Sequence, residues 1–306
     1  MSLWYEANTT VIQQTLIYLV LAASFQVVLR AGVSSFASIA FYGVGGYLAA
    51  NLATSGWPLP ATLAVVLVTA AAIGWALAVP LTRLRGLYLG MATFAVDQIV
   101  LIFAANGGDF TGGTVGLFGI PSQFDTPLLV GLVVVAMVLI SQLERGSLGR
   151  AFASLRVDEN LTRAMGLEAR RLRILMMVLS AVLGAVAGAA NVLTFTVITP
   201  ESFGFDLLIT ALTMAVVGGV RSWVGAVIGA VLVTWFPMVF TVLQGGWRQI
   251  VFGIVVVAVM VFEPDGLLGV GRRIWRRLQR SRRQSVEPDA AAQAASAAAE
   301  RQKVRA

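Results

Sequence analysis

The sequence contains no cysteine and no histidine, and its only lysine is Lys303. Without cysteine, the chain can form no disulfide framework and can carry out no thiol chemistry. Without histidine, it lacks the commonest general base and the commonest metal ligand of proteins. These absences argue against a metal site and against most kinds of enzyme active site.

Charged residues are also scarce, at 12% of the 306 positions, whereas 58% of the positions are hydrophobic and the mean hydropathy is +0.84. In soluble domains about a quarter of the residues are charged, so this chain has too few charged residues to cover the surface of a soluble protein. Apolar runs of about twenty residues recur along the chain, and only helices or closed barrels satisfy their backbone hydrogen bonds within a bilayer. The sequence therefore predicts an all-α, polytopic membrane protein.

Nine apolar runs can be assigned as membrane spans. The opening segment MSLWYEANTT lacks the basic start of a cleavable signal, so we expect the first run to be a retained span. The seventh and ninth runs are short enough to be re-entrant or buried, which would leave seven spans; nine is the preferred number. The runs are 11–29, 36–52, 61–80, 87–105, 127–143, 172–193, 205–220, 224–243 and 247–262.

The basic residues indicate an orientation. With nine alternating spans, every basic residue before the distal tail except Arg248 falls on one side of the membrane. Basic residues mark the cytoplasmic side, so we expect the N-terminus outside and the C-terminus in the cytoplasm. The net charge of +7 is thereby explained by topology, and no nucleic-acid partner is expected.

The chain divides into two predicted parts. Residues 1–271 should form one transmembrane domain, and residues 272–306 a cytoplasmic tail. The tail begins with the basic segment RRIWRRLQRSRR, which would be attracted to anionic membrane lipid. It continues as an Ala-rich segment of low complexity that should be largely disordered.

The longest charged segment, residues 144–173, separates the fifth and sixth spans and carries both signs of charge. Asp158 is a candidate N-cap, Glu159 suits a first turn, Arg163 suits a last turn, and Gly166 is a natural helix stop. This pattern predicts a helix of about two turns.

One side of that short helix should be apolar. Leu161 and Met165, with Leu155 as a further candidate, would form a strip between the charges. A helix so short is marginal in water, so it should pack on a partner. Two partners are open: this protein's own membrane domain, or a soluble protein docked from the cytoplasm.

Five segments together resemble the M-type permease subunit of branched-chain amino acid ABC importers. They follow the order of that family and cover most of the chain from about residue 30 to 270. They are RLRGLYLGMATFAVDQIV (83–100), TGGTVGLFGIP (111–121), VITPESF (197–203), AVVGGVRSWVGAVIGA (215–230) and FEPDGLLG (262–269).

The resemblance implies a set of partners in a bacterial inner membrane. They are a second, homologous permease subunit, two cytoplasmic ATPase subunits and a periplasmic substrate-binding protein. The chain has no Gly-x-x-x-x-Gly-Lys loop, so ATP would be bound by the separate subunits and no cofactor is expected here. The implied substrate is a branched-chain amino acid or a related small solute such as urea, an amide or an aromatic acid.

The charged segment 144–173 would then be the loop that couples to the ATPase. The general signature of such loops is Glu-Ala-Ala with a glycine six positions after the glutamate. Here Asn160 occupies the glutamate position, and Glu159 lies one residue early. The resemblance implies ATPase contact by Asp158, Glu159, Asn160, Leu161, Arg163, Met165 and Gly166.

Asp97 lies near the middle of the fourth predicted span. A charge at the bilayer centre costs about 2.5–3.5 kcal/mol on insertion scales, so it should face the protein interior or water. It could belong, with Gln98, to the substrate pathway and meet a substrate ammonium group. It could instead make a hydrogen bond to Gln98 or to a neighbouring span.

Glycines interrupt two of the predicted spans. Interrupted helices often mark transporter binding sites, whereas glycine also permits close helix packing. Packing is the preferred interpretation for Gly184 and Gly188, and for Gly225 and Gly229. The candidates for a pathway role are Tyr42, Gly43, Gly45, Gly46, Gly218 and Gly219.

The outer loops offer a docking site for the binding protein. Thr111, Gly112 and Gly113 belong to a Gly-rich loop, which could equally be a connector whose glycines adopt positive φ. Glu201 and Asp206 would lie at the outer mouth, either as docking groups or as solvated carboxylates.

Two other functions compete with an ATP-driven permease. An ion-coupled carrier or channel would work without an ATPase, but Asp97 is the only ionisable residue clearly placed within a span. An intramembrane enzyme would have to rely on carboxylates or serine, and the carboxylates lie mostly outside the predicted spans.

Overall fold

A computed structural model of the chain describes residues 2–33, 35–220 and 222–239, together with residue 253. Ten α-helices account for most of these residues. They are α1 (Ser2–Arg30), α2 (Ser38–Thr54), α3 (Leu59–Leu81), α4 (Leu87–Asn106), α5 (Thr126–Arg145), α6 (Ser147–Val157), α7 (Glu159–Ala164), α8 (Ala169–Phe195), α9 (Phe205–Gly218) and α10 (Trp223–Val239). Two 3-10 turns, Gly108–Phe110 and Pro200–Phe203, and two short strands, β1 (Leu117–Phe118) and β2 (Val197–Ile198), complete the described fold.

The first eight predicted spans coincide with helices α1 to α5 and α8 to α10, which confirms an all-α, multi-pass membrane protein. In the described part of the chain, six segments are long and apolar enough to cross a membrane. They are Asn8–Arg30, Leu59–Leu81, Leu87–Asn106, Thr126–Arg145, Ala169–Phe195 and Pro200–Gly218. The predicted ninth span, the tail 272–306, Arg221 and Arg248 lie outside the described residues, except for Gly253 within that span.

The helices run between two ends of the bundle. At one end, Arg30 at the end of α1 pairs with Glu144 at the end of α5, and Arg173 near the start of α8 pairs with Glu159. We call this the charged end. At the other end, β1 and β2 pair antiparallel, with Leu117 opposite Ile198; we call this the strand end. The charged segment 144–173 and the Gly-rich loop therefore lie at opposite ends.

Helices α2 and α8 form the centre of the bundle, and glycine brings their backbones together. A Cβ at Gly184 would overlap the carbonyl of Ser38, and one at Gly188 would overlap the carbonyl of Tyr42. Gly45 faces the backbone of Ala185 in the same way. The prediction of close packing at Gly184 and Gly188 is confirmed.

Helix α6 is an element that sequence reasoning missed. Ala151, Phe152 and Leu155 on one side of it are buried in an apolar cluster with the end of α1 and with α8 residues such as Leu172 and Met176. Their spacing of one, three and four residues gives α6 an apolar face. This face attaches the charged segment to the membrane domain.

Candidate functional site

The predicted short helix at the charged end is present as α7, Glu159–Ala164. The Asp158 carboxylate accepts a hydrogen bond from the backbone N–H of Asn160 at 2.9 Å, as expected of a residue that begins a helix. Gly166 adopts φ +76° and its N–H donates to the Arg163 carbonyl, which ends the helix. The predicted start and stop of this helix are confirmed.

The inner side of α7 packs on the membrane domain. Thr162 is fully buried, and its hydroxyl lies 3.2 Å from that of Ser154 on α6. The predicted apolar strip is wrong in part, because Leu155 is buried in α6 whereas Met165 is 62% exposed. Leu155 belongs to α6, whereas Met165 lies in the turn that follows α7.

Glu159 points inward and is held by three arginines. One carboxylate oxygen accepts from Arg163 Nη2 at 2.8 Å. The other oxygen lies 3.0 Å from Nη2 of both Arg85, in the turn before α4, and Arg173, on α8. Sequence reasoning assigned Glu159 to ATPase contact and missed this cluster, because Arg85 reaches it only through the tertiary fold.

The outward side of α7 remains exposed, and we call it the α7 outer surface. It combines polar and charged groups with one large apolar side chain. Its members are Asp158, Asn160, Arg163, Ala164, Met165 and Gly166. Five of the predicted coupling residues thus share one exposed surface.

Asp97 is fully buried on α4. Thr93, one turn earlier on the same side, accepts a hydrogen bond from the Phe36 N–H at 2.9 Å, and Leu101, one turn later, lies beside Gly204. Asp97 therefore faces the seam that α4 forms with α2 and the Pro200–Phe203 turn.

The Asp97 carboxylate has no compensating contact in the described part of the structure. Neither of its oxygens has a hydrogen-bond partner there, so the expected bond to Gln98 is not formed. Gln98 itself is half-buried. Because burial of an unpaired polar group is costly, Asp97 is an exception that a purely structural role does not explain.

The glycines of α2 do not interrupt the helix, so the interpretation of a broken helix is wrong for Gly43 and Gly46. A Cβ at Gly43 would meet the Phe203 ring at 2.6 Å, and one at Gly46 would meet Ile198 at 2.6 Å. Phe203 also packs edge-on against Tyr47, with the ring centroids 6.0 Å apart. These glycines make room for Ile198 in β2 and for Phe203 in the turn that follows, while Tyr42 is buried beside them in the core.

A true helix break occurs at Gly218 and Gly219. Helix α9 ends at Gly218, and Gly219 adopts φ +104°. The carbonyl of Gly219, which has left the helix, accepts from the side-chain amide of Gln26, a buried residue on α1, at 2.7 Å. No sequence pattern pointed to Gln26, since its partner lies 193 positions away.

The Gly-rich loop at the strand end is a compact connector. Gly112 and Gly113 adopt φ +69° and +62°, which confirms the prediction of positive φ. Thr111 is buried, whereas large apolar side chains of the same loop are exposed: Phe110, Val115 and Phe118. Glu201 and Asp206 are exposed near this end, as predicted.

The described residues contain no group of three or more metal-ligating side chains that could hold a metal ion. No solved structure matches the chain. Residues 8–261 match the family model described as branched-chain amino acid transport system / permease component.

Among curated relatives, the chain is 29% identical over 301 residues to the high-affinity branched-chain amino acid transport system permease protein LivM of Escherichia coli (strain K12). That match covers 84% of this chain and 69% of the relative. It is 28% identical to the LivM protein of Salmonella typhimurium, over 87% of this chain and 71% of the relative. It is also 28% identical to the autoinducer 2 import system permease protein LsrC of Yersinia enterocolitica, over 48% of this chain and 42% of the relative.

Proposed function

The chain belongs to the family of permease components of branched-chain amino acid transport systems, and from this premise we propose how it works in an ATP-driven importer. As a permease component it is a transport subunit and not an enzyme. It would pair with a second, homologous permease subunit in a bacterial inner membrane. Two cytoplasmic ATPase subunits would bind the ATP, so this chain would need no cofactor, and a periplasmic binding protein would deliver the solute.

We place the charged end in the cytoplasm. Arg30, Arg85 and Arg173 all lie at this end, and basic residues accumulate on the cytoplasmic side of membrane proteins. The N-terminus would then be outside, and with nine spans the C-terminus would be cytoplasmic. Residues 1–271 would form the membrane domain and residues 272–306 a basic, Ala-rich tail.

The α7 outer surface is the proposed contact with the ATPase. The observation that carries this assignment is that α7 is fixed to the domain by Thr162 and Glu159 while Met165 remains 62% exposed at the charged end. Methionine adapts its shape to a partner surface, and exposed polar neighbours such as Asn160 and Arg163 would surround it.

The proposed substrate is a branched-chain amino acid or a related small polar solute such as urea, an amide or an aromatic acid. Its pathway would follow the seam between α4 and α2, where Asp97 is buried without a partner in the described chain. A substrate ammonium group would supply the missing opposite charge. Gln98 and the Gly218–Gly219 break are further candidates along the pathway, while Tyr42, Gly43, Gly45 and Gly46 would shape its wall.

The strand end would receive the binding protein. Phe110, Val115 and Phe118 present exposed apolar surface, which is typical of the core of a protein interface. Glu201 and Asp206 would contribute at its edge. The loop residues Thr111, Gly112 and Gly113 would act by fixing the shape of this surface.

Two matched substitutions test this assignment of ends. Met165→Glu and Val115→Glu make the same change at opposite ends, on side chains that are 62% and 68% exposed. After co-expression with the ATPase subunits of its importer, we expect Met165→Glu to lose them during purification and Val115→Glu to retain them. Retention by both variants would contradict docking at the α7 outer surface. Uptake that follows an ion gradient without an ATPase would support the carrier alternative instead.

A further inference from the structure

The Glu159 side chain is mostly buried, whereas its α7 neighbours Asn160, Arg163 and Ala164 are exposed. Its side chain is 16% exposed, and both carboxylate oxygens are occupied by guanidinium groups. The three arginines come from three places: Arg163 from α7 itself, Arg85 from the turn before α4, and Arg173 from α8. A carboxylate bound in this way faces the membrane domain and is not available to a docked protein.

The contacts of α7 offer two routes into the membrane domain. The Thr162 hydroxyl leads to Ser154 on α6. Among the ion pairs of the described residues, those of Glu159 with Arg85 and Arg173 are the ones that join α7 to the turn before α4 and to α8. The Glu159 route is therefore the direct link from α7 to α4 and α8.

Both α4 and α8 are placed so that a movement of α7 would reach the interior of the membrane domain through them. Arg85 lies two residues before α4, the helix that carries Asp97. Arg173 lies in the first turns of α8, which packs along α2 through Gly184 and Gly188. Helices so closely packed move together rather than deform, because protein interiors have little free volume.

We infer that Glu159 is a positioning residue that transmits movement of α7 to α4 and α8, and that it does not itself contact the ATPase. This inference rests on the proposed function, since it assumes that a partner moves α7. Charge-assisted hydrogen bonds are strong and directional, so a carboxylate with both oxygens bound holds three elements at fixed distances. A carboxamide has the same shape but no charge, and it would leave three arginines facing a neutral group.

The test compares two glutamates of the same loop in the complete complex, reconstituted in proteoliposomes with its ATPase subunits and binding protein. ATP hydrolysis and solute uptake are measured in parallel, and their ratio is the readout. For Glu159→Gln we expect the ATPase subunits to be retained while uptake per ATP falls at least about fivefold, the lower end of usual coupling between sites. Glu168→Gln is the control, because Glu168 pairs with Arg171 at 2.6 Å but is 62% exposed, and we expect an unchanged ratio.

Two more variants separate transmission from general damage. Arg173→Gln should lower the ratio in the same way, and the double variant with Glu159→Gln should be no worse than either single one, because both remove the same link. Glu159→Asp keeps the charge with a shorter reach, so it should recover part of the ratio even if the Gln variant folds poorly.

The inference is overturned if Glu159→Gln releases the ATPase subunits while Met165→Glu retains them, since Glu159 would then be a docking contact. It is also overturned if Glu159→Gln leaves uptake per ATP unchanged. If the wild-type complex shows no ATP-dependent uptake, the proposed function fails for a separate reason. The wild-type complex is therefore measured first, so that a failure of the proposed function is seen before any variant is compared.

Discussion

The side-chain amide of Gln26 donates to the carbonyl oxygens of Gly219 at 2.7 Å and of Ser222 at 2.5 Å. It thereby closes the turn between α9 and α10 against α1, one helical turn before Arg30. The carbonyl groups freed by the helix break at Gly218 would otherwise be buried without a donor. The Gln26 side chain thus fastens the turn between α9 and α10 to the first helix.

Replacing Gln26 with leucine should destabilise the protein by about 1–3 kcal/mol, because buried carbonyl groups lose their donor. The measurement is the thermal midpoint of unfolding in detergent or nanodiscs. Gln14→Leu is the control, since Gln14 is half-buried and donates within its own helix to Tyr18. Equal midpoints for the two variants would show that the Gln26 contacts do not hold this turn.

Gly45→Ala should also destabilise the protein, by about 1–3 kcal/mol, because the added methyl group would collide with the Ala185 backbone. Gly131→Ala on α5 is the matched control, because a Cβ there meets nothing within 4 Å. The free energy of unfolding should be unchanged or higher for the control. A Gly45→Ala protein as stable as the control would contradict the close packing of α2 on α8.

Position 97 should be inaccessible to solvent in the resting protein and become accessible during transport. The chain has no native cysteine, so in this chain a membrane-impermeant thiol reagent can label only the new cysteine of Asp97→Cys. We expect no labelling of the resting protein, in which Asp97 is fully buried, and labelling during ATP-driven turnover. Labelling that is absent under both conditions, although the Asp97→Cys complex hydrolyses ATP, would remove Asp97 from the pathway.

Asp97→Asn should impair transport without impairing folding. The substitution removes an unpaired buried charge, so the free energy of unfolding should not fall, whereas uptake should fall by about tenfold or more if the carboxylate meets the substrate ammonium. The paired measurements are the thermal midpoint and solute uptake in proteoliposomes. Unchanged uptake would show that Asp97 serves structure alone.

The sequence predicted the spans well because their signal is local. Apolar runs placed α4 at 87–105 against the observed Leu87–Asn106. The glycine spacing of α8 predicted close packing on another helix, and the structure shows that this helix is α2. The two-residue strands β1 and β2 were missed because they are too short to show a period. Helix α6 was missed because its arginines concealed the spacing of Ala151, Phe152 and Leu155.

The site was predicted less completely, and the reason is again physical. Caps such as Asp158 and Gly166 act on their own helix and can be recognised in sequence. The roles of Glu159 and Gln26 depend on partners brought from distant positions, Arg85 and Gly219, so neighbouring residues carry no signal for them. The same holds for Leu155, which is buried in α6, and for Met165, which is exposed in the turn after α7.

ATP hydrolysis by the reconstituted complex tests the central claim most directly. The complex would contain this chain, its partner permease and the ATPase subunits in proteoliposomes, with binding protein added either empty or loaded with leucine. We predict that the loaded binding protein stimulates hydrolysis and that Met165→Glu abolishes the effect by releasing the ATPase. If no ATPase co-purifies with the wild-type chain and uptake follows an ion gradient instead, the account is contradicted.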